Sequence, residues 1–185
     1  MAGVRVCREV KTDPEFQNPR IPESIMHIIV LSDTHLQSPN HSLVKAFDRY
    51  MAGADLLLHC GDVTGEETRA FLASHPEFRA VRGNCDWELG HLPASLVFEF
   101  RGIRIGMAHG WGPRAAVGQT VAEALGSDPD LICYGHTHIR DWSVTKAGVR
   151  ILNPGSFSQP RKGRAGFAVL DWEPDQVPEV RWIDL

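Results

Sequence analysis

The 185-residue sequence has no C-x-x-C pair, no basic surplus and no long apolar run, and each absence removes a class of function. Its four cysteines, Cys7, Cys60, Cys85 and Cys133, stand far apart, which argues against a zinc ribbon or a disulfide scaffold. Lys and Arg number 19 against 23 Asp and Glu, a formal charge of −4. A basic nucleic-acid face, and with it a stable nucleic-acid complex, is therefore not expected. Runs such as Ile28-Ile29-Val30-Leu31 are far too short to cross a bilayer, so no membrane partner is expected. Residues 1–16 carry acids and no continuous apolar core, which predicts neither a signal peptide nor a transit peptide and makes a reduced cytoplasmic setting the default. Internal repeats and low-complexity tracts are also missing. The remaining composition, 43% apolar and 23% charged, is ordinary for a globular chain of one domain with a real core.

Residues 1–25 differ from the rest. They are polar, hold Pro14, Pro19 and Pro22, and show no sustained period beyond a possible short strand at Val4–Arg8; they read as an extension ahead of a domain spanning 26–185. From Met26 the pattern changes. Apolar, β-branched runs predict strands over 26–32, 55–60 and 78–82, with helices over 42–51 and 66–74 between them. Runs at 96–100 and 103–108 flank Arg101-Gly102, a hairpin signal. A helix over 113–125 and a strand over 131–134 follow. The last third is strand-rich, over 142–145, 149–152, 165–171 and 180–183. Strand-helix units followed by hairpins point to an α/β protein with more than one sheet.

Chemistry collects just past the strand ends. The segments are Ser32-Asp33-Thr34-His35, Gly61-Asp62, Gly83-Asn84-Cys85-Asp86, His109-Gly110 and Gly135-His136-Thr137-His138. In open α/β sheets the ligand crevice lies outside the carboxyl ends of the strands, so these five segments can converge there. An extended backbone would put both side chains of Asp33-x-His35, and both of His136-x-His138, on one face. The inventory is two Asp, four His and one Asn. Oxygen and imidazole donors suit manganese, iron, zinc or nickel better than calcium or magnesium. Seven ligands are too many for one such ion and suit two divalent ions sharing a bridge, an arrangement that can clamp a phosphoryl group. Taken singly, each piece has a plain structural role open to it; Asp62, for instance, could cap the following helix. His59 is expected to be structural, beside Asp62. Cys60 and Cys133 read as buried strand residues. Of the five tryptophans, Trp87 and Trp111 stand next to motif segments, where they would wall the cleft.

The ordered set SDTH, GD, GNCD, HG, GHTH and NPGS resembles the calcineurin-like metallophosphoesterases. Within them it looks like the small single-domain bacterial and archaeal phosphodiesterase branch, which also includes a eukaryotic retromer scaffold subunit. The similarity runs from about Met26 to the C-terminus. It implies a four-layer α/β/β/α sandwich with two mixed sheets and a metal pair at one edge. Carried over by motif, Asp33, His35 and His138 would hold the first metal, Asp62 would bridge, and Asn84, His109 and His136 would hold the second. Relatives of this type commonly start at the residue matching Met26, so residues 1–25 are expected to be an extension or a misassigned start.

The resemblance also frames Cys85. Many members have a histidine there, a general acid near the leaving group, whereas GNC is usual in the smaller branch. Cys85 is thus expected to be neither nucleophile nor main ligand, with cations lowering its thiol and a hydroxide bridging the metals as attacking group. Without a strong general acid the favoured substrates would be small phosphodiesters with good leaving groups. Asn84 would orient as well as ligate. Asp86 or backbone carbonyls would accept from the ligand histidines. Arg161, after Asn153-Pro154-Gly155-Ser156, would reach a phosphate; Arg114 is a weaker candidate. A phosphomonoesterase, or a non-catalytic protein-binding scaffold on the same fold, remains as an alternative, and a homodimer is open.

Overall fold

A computed structural model of the protein describes residues 25–173 and 176–185, so the Val4–Arg8 strand lies outside the described residues. Strand β1 (Met26–Leu31) shows the principle of assembly. Ile28 and Val30 point to one apolar cluster, and Ile29 and Leu31 to another. Successive side chains of a strand face opposite ways, so a run apolar on both sides needs a layer on each.

The first sheet has the order β10-β9-β1-β2-β3. Its members besides β1 are β2 (Leu56–His59), β3 (Phe78–Ala80), β9 (Gly166–Trp172) and β10 (Glu179–Asp184). The second has the order β4-β5-β6-β8-β7. It comprises β4 (Ser95–Phe100), β5 (Ile103–Ala108), β6 (Leu131–Cys133), β7 (Arg140–Val144) and β8 (Arg150–Pro154). Both are mixed: β1, β2 and β3 run parallel, as do β5, β6 and β8, while the flanking strands are antiparallel. The central core joins Ile28, Val30, Leu56 and Leu58 to Ile105, Met107, Leu131 and Leu152 across the two sheets. Helices α1 (His41–Ala46) and α2 (Glu66–Leu72) cover the outer face of the first sheet through Leu43 and Leu72. Helix α3 (Val117–Leu125) covers the second through Val117 and Val121. This is the expected four-layer α/β/β/α sandwich.

Several element bounds differ from the sequence reading, among them the helix expected over 113–125, which is a 3-10 turn, Arg114–Ala116, followed by α3. The helix expected over 42–51 is α1, capped by Asn40, followed by a π-helical turn, Phe47–Met51, closed by Ala52 N–H donating to Phe47 O at 2.9 Å. The Phe47 and Phe71 rings meet there at a tilt, centroids 4.8 Å apart, and Met51 is fully buried. Strand β7 begins at Arg140 rather than Trp142. Arg140 bonds Asp184 at 2.7 Å and lies over the Trp182 ring, partners on β10 that local sequence does not reveal.

Register decides what emerges where. Leu31 lies opposite His59, and His59 opposite Ala80, so the segments after β1, β2 and β3 leave the first sheet side by side. Met107 lies opposite Cys133, and Gly135 N–H donates to His109 O at 2.9 Å, so the segments after β5 and β6 do the same from the second. His136 N–H donates to Asp33 Oδ2 at 3.1 Å and joins the two groups of loops. No helix among the described residues is long and apolar enough to cross a membrane.

Candidate metal centre

The loops after β1 and β2 stay hydrogen-bonded past the strand ends. Asp33, His35 and Leu36 N–H groups donate to the carbonyls of Gly61, Asp62 and Val63 at 3.0, 3.0 and 3.1 Å. The backbone is not extended there, which corrects the sequence reading. Asp33, His35, Asp62, His136 and His138 have φ of +53°, +46°, +57°, +67° and +58°, all left-handed. Asp and His tolerate this region better than most residues, yet each such residue costs on the order of 1–3 kcal/mol. Five of the seven candidate ligands are held in that state by surrounding bonds. Gly83 is where the third loop comes closest: a Cβ there would run into the Asp62 carboxylate and backbone nitrogen.

The structure brings Asp33, His35, Asp62, His109 and His138 together. Ligand atoms of Asp33, His35 and His138 lie within 4.8 Å of one another, and so do those of Asp33, Asp62 and His109. Asp33 Oδ1 is 3.1 Å from His138 Nε2, 4.0 Å from His35 Nε2 and 3.9 Å from His109 Nε2. Asp62 Oδ2 is 3.4 Å from His109 Nε2 and 3.8 Å from His35 Nε2. Asn84 and His136 stand at the outer edge: Asn84 Oδ1 is 2.9 Å from His136 Nδ1, and the His136 ring meets His109 edge-on at 5.2 Å. Cys85, expected to be neither nucleophile nor main ligand, has its Sγ within a 4.8 Å grouping with His35 and Asp62.

These groups fit a cation. Asp33 Oδ1 and His109 Nε2 are buried and make no hydrogen bond of proper geometry, although charged and polar neighbours lie close. An unpaired buried polar atom is costly, and a metal ion is the partner that two carboxylates and several imidazoles turned to one point would share.

The other ring nitrogens are held mainly by backbone. His109 Nδ1 donates to Cys60 O at 2.8 Å, and His138 Nδ1 to Gln159 O at 2.6 Å, leaving each Nε2 free to face the centre. Burial pulls the His109 imidazole down, but Asp62 and Asp33 outweigh it and hold it above its ordinary value. The Asp33 carboxylate, 3.1 Å away, raises His138. Burial and the nearby His109 lower His136. Burial opposes ionisation of Asp62, yet the facing His109 ring and the Cys85 N–H bond keep its carboxyl well below the usual range. The Cys85 thiol is pushed up to about 11 by the protein alone, first by burial and then by Asp62.

Asp86 does not accept from a ligand histidine. Its carboxylate takes backbone N–H groups of Asp62 at 2.8 Å, Gly83 at 2.7 Å and Thr64 at 2.7 Å. It ties the second loop to the third. Asn153 is a comparable knot, donating to Gly135 O at 2.7 Å and Thr137 Oγ1 at 3.0 Å and accepting from Gly155 N–H. Ser156 Oγ donates to Asp33 O at 2.8 Å. Arg161 is exposed beside the centre, its N–H donating to His138 O at 3.2 Å. Arg114 lies in the 3-10 turn ahead of α3, also exposed.

His59 is fully buried, accepts from Gly61 N–H at 3.2 Å and pairs with Thr34 Oγ1 at 3.2 Å. Burial lowers it to about 4, against the pull of Asp86 and Asp33. Above pH 6.5 it is neutral whether folded or unfolded. As pH falls from about 6.5 to 4, only the unfolded chain takes the proton, so stability drops by about 3 kcal/mol in total. Urea unfolding at pH 7 and pH 4.5 will show this loss, and His59→Asn will show a shallower one; equal slopes would mean that His59 is not the group responsible.

Residues 26–175 match the calcineurin-like phosphoesterase superfamily domain. The probable metallophosphoesterase YsnB of Bacillus subtilis is 34% identical over 170 residues, which cover 86% of this chain and 91% of that protein. A predicted phosphoesterase of Streptococcus pneumoniae superposes with a TM-score of 0.69 at 28% identity, over 84% of this chain and 87% of that one. A structure described as a novel archaeal phosphodiesterase superposes with a TM-score of 0.67 at 23% identity, over 86% of this chain and 100% of that one, a likeness of fold.

Proposed function

Since this chain belongs to the calcineurin-like phosphoesterase superfamily, we propose that it is a phosphodiesterase working with two divalent transition metals. The observation that carries the reading is the overlap of donor triples at Asp33 and Asp62, with buried atoms of Asp33 and His109 left unbonded at their centre. Asp33, His35 and His138 would hold one ion and Asn84, His109 and His136 the other, with Asp62 shared. Manganese heads the candidates, with nickel, iron and zinc as alternatives, since mixed oxygen and imidazole donors admit all four. Bound there, the metals supply Lewis acidity toward a phosphoryl oxygen and lower the pKa of a water to about 7.

The chain's own groups do the rest. The Asp86 and Asn153 knots hold the ligand loops before substrate arrives, so no reorganisation is needed during reaction. Asn84 turns its amide oxygen toward His136 and its amide nitrogen toward Cys85 Sγ at 3.2 Å, which fixes its orientation. Arg161, exposed beside His138, offers a cation to a phosphate oxygen.

Cys85 decides between esters. A thiol has a reference pKa of about 8.5 against about 6.5 for imidazolium, so it protonates a departing alkoxide less readily than a histidine there would. Diesters whose leaving groups need little protonation are therefore favoured over alkyl monoesters. The fold likeness to an archaeal phosphodiesterase agrees with this choice. A general acid is worth on the order of 10²–10⁴ in rate. Cys85→His is accordingly expected to raise turnover of poor leaving groups at least about ten-fold relative to p-nitrophenyl diesters. An unchanged ratio, with the variant folded and metal-loaded, would remove the argument for diesters.

A further inference from the structure

The large apolar side chains that stand exposed among the described residues are mostly aliphatic, but they include two tryptophans, Trp87 at 88% and Trp111 at 47%. Both belong to loops that carry candidate metal ligands. Trp87 follows Asn84 by three residues and Trp111 follows His109 by two, so their backbones lie within about 11 and 7 Å of those ligands. Asn84, His136 and His109 form a continuous row, joined by the 2.9 Å contact and the edge-on rings. The two tryptophans stand in the loops that supply the two ends of that row, Asn84 and His109.

Neither is exposed through looseness of the chain. Trp87 lies between Asp86, which is 2% exposed and takes three backbone N–H groups, and Leu89, which is fully buried. The turn is closed by Leu89 N–H donating to Asp86 O at 3.2 Å. Trp111 follows buried His109 and Gly110, where a Cβ would press on Val117 of α3. Both loops are anchored and hold their indoles in water. Neither indole takes part in an aromatic stack or cation–π contact among the described residues.

We propose that Trp87 and Trp111 form an aromatic rim that stacks a planar ring of the substrate, so that the preferred diester is one carrying a nucleobase. This rests on the phosphodiesterase reading, which seats the phosphoryl group between the two loops. An indole face binds a base by stacking whatever its sequence identity. The chain's net charge of −4 gives no basic track for a polynucleotide, so the diester is of nucleotide size.

The test compares thymidine 5′-(p-nitrophenyl phosphate) with methyl p-nitrophenyl phosphate, which share a leaving group. Stacking contributes about 5–100-fold per base, so Trp87→Ala or Trp111→Ala will lower the ratio of kcat/KM for the two by about that factor. Trp→Phe at the same position will restore most of it. Calorimetry gives a second readout: each alanine variant will weaken binding of thymidine 5′-monophosphate relative to methyl phosphate. Hydrolysis of both esters with ratios unmoved in both variants would overturn the aromatic rim and leave the phosphodiesterase reading standing. Failure of metal-loaded wild-type protein to hydrolyse either ester would overturn both. An alanine variant that lost capture of a protein while keeping the ester ratio would show the rim to be a docking surface, and would also overturn the proposal.

Discussion

Asp62→Ala will reduce hydrolysis of an aryl phosphodiester by metal-loaded protein by about 10³-fold or more, since it removes a charge that both donor groups share. Asp62 Oδ2 lies between His35 and His109, at 3.8 and 3.4 Å, and its other oxygen accepts Cys85 N–H at 2.7 Å. Loss of one group aimed at the developing charge typically costs 10²–10³ in rate, and loss of a ligand common to two ions costs more. Alanine is also strained at the left-handed φ of +57°. Asp62→Asn separates the two effects, because asparagine tolerates that conformation and keeps the shape without the charge. Both variants are expected to fold and both to lose activity. Full activity in either would make the assignment of Asp62 wrong.

Asp86→Ala will lower the thermal midpoint by about 6–12 °C. Its carboxylate takes three backbone N–H groups from two loops, and each buried donor left without an acceptor costs on the order of 1–3 kcal/mol. Partial access of water to Thr64 and Gly83 brings the total toward about 3 kcal/mol, and a chain of this length shifts by about 2–4 °C per kcal/mol. Asp86→Asn keeps one oxygen for the Asp62 and Gly83 donors and loses the Thr64 bond, so about half of the loss should return. Thermal unfolding of the three proteins checks this. A midpoint within 2 °C of wild type for Asp86→Ala would mean that water or a neighbour replaces the carboxylate.

The contrast between these two residues shows what sequence reveals. Asp62 follows a short apolar strand in a glycine-containing segment, and several such segments in order announce a shared site at one sheet edge. The strands were legible for the same reason, since β-branched runs end abruptly in polar turns. Asp86 sits in the same motif, but two of its partners, Asp62 and Thr64, lie 24 and 22 residues away, and a backbone N–H has no signature in the sequence. The left-handed backbone of Asp33 and His138 was equally hidden, because loop-to-loop bonds impose it against local preference. Asn153 and Ser156 were visible as a motif, but the bond of Asn153 to Gly135 comes from the pairing of β8 with β6, and that of Ser156 to Asp33 from the stacking of two sheets.

The central claim is that Asp33, His35, Asp62, Asn84, His109, His136 and His138 enclose a pair of divalent ions. Titrating metal-stripped protein with Mn²⁺ by calorimetry, at neutral pH, tests it most directly. The account predicts two ions bound per chain in wild type and fewer than two in Asp62→Asn. Binding of no ion by folded wild-type protein, or an unchanged two ions in the variant, would contradict it.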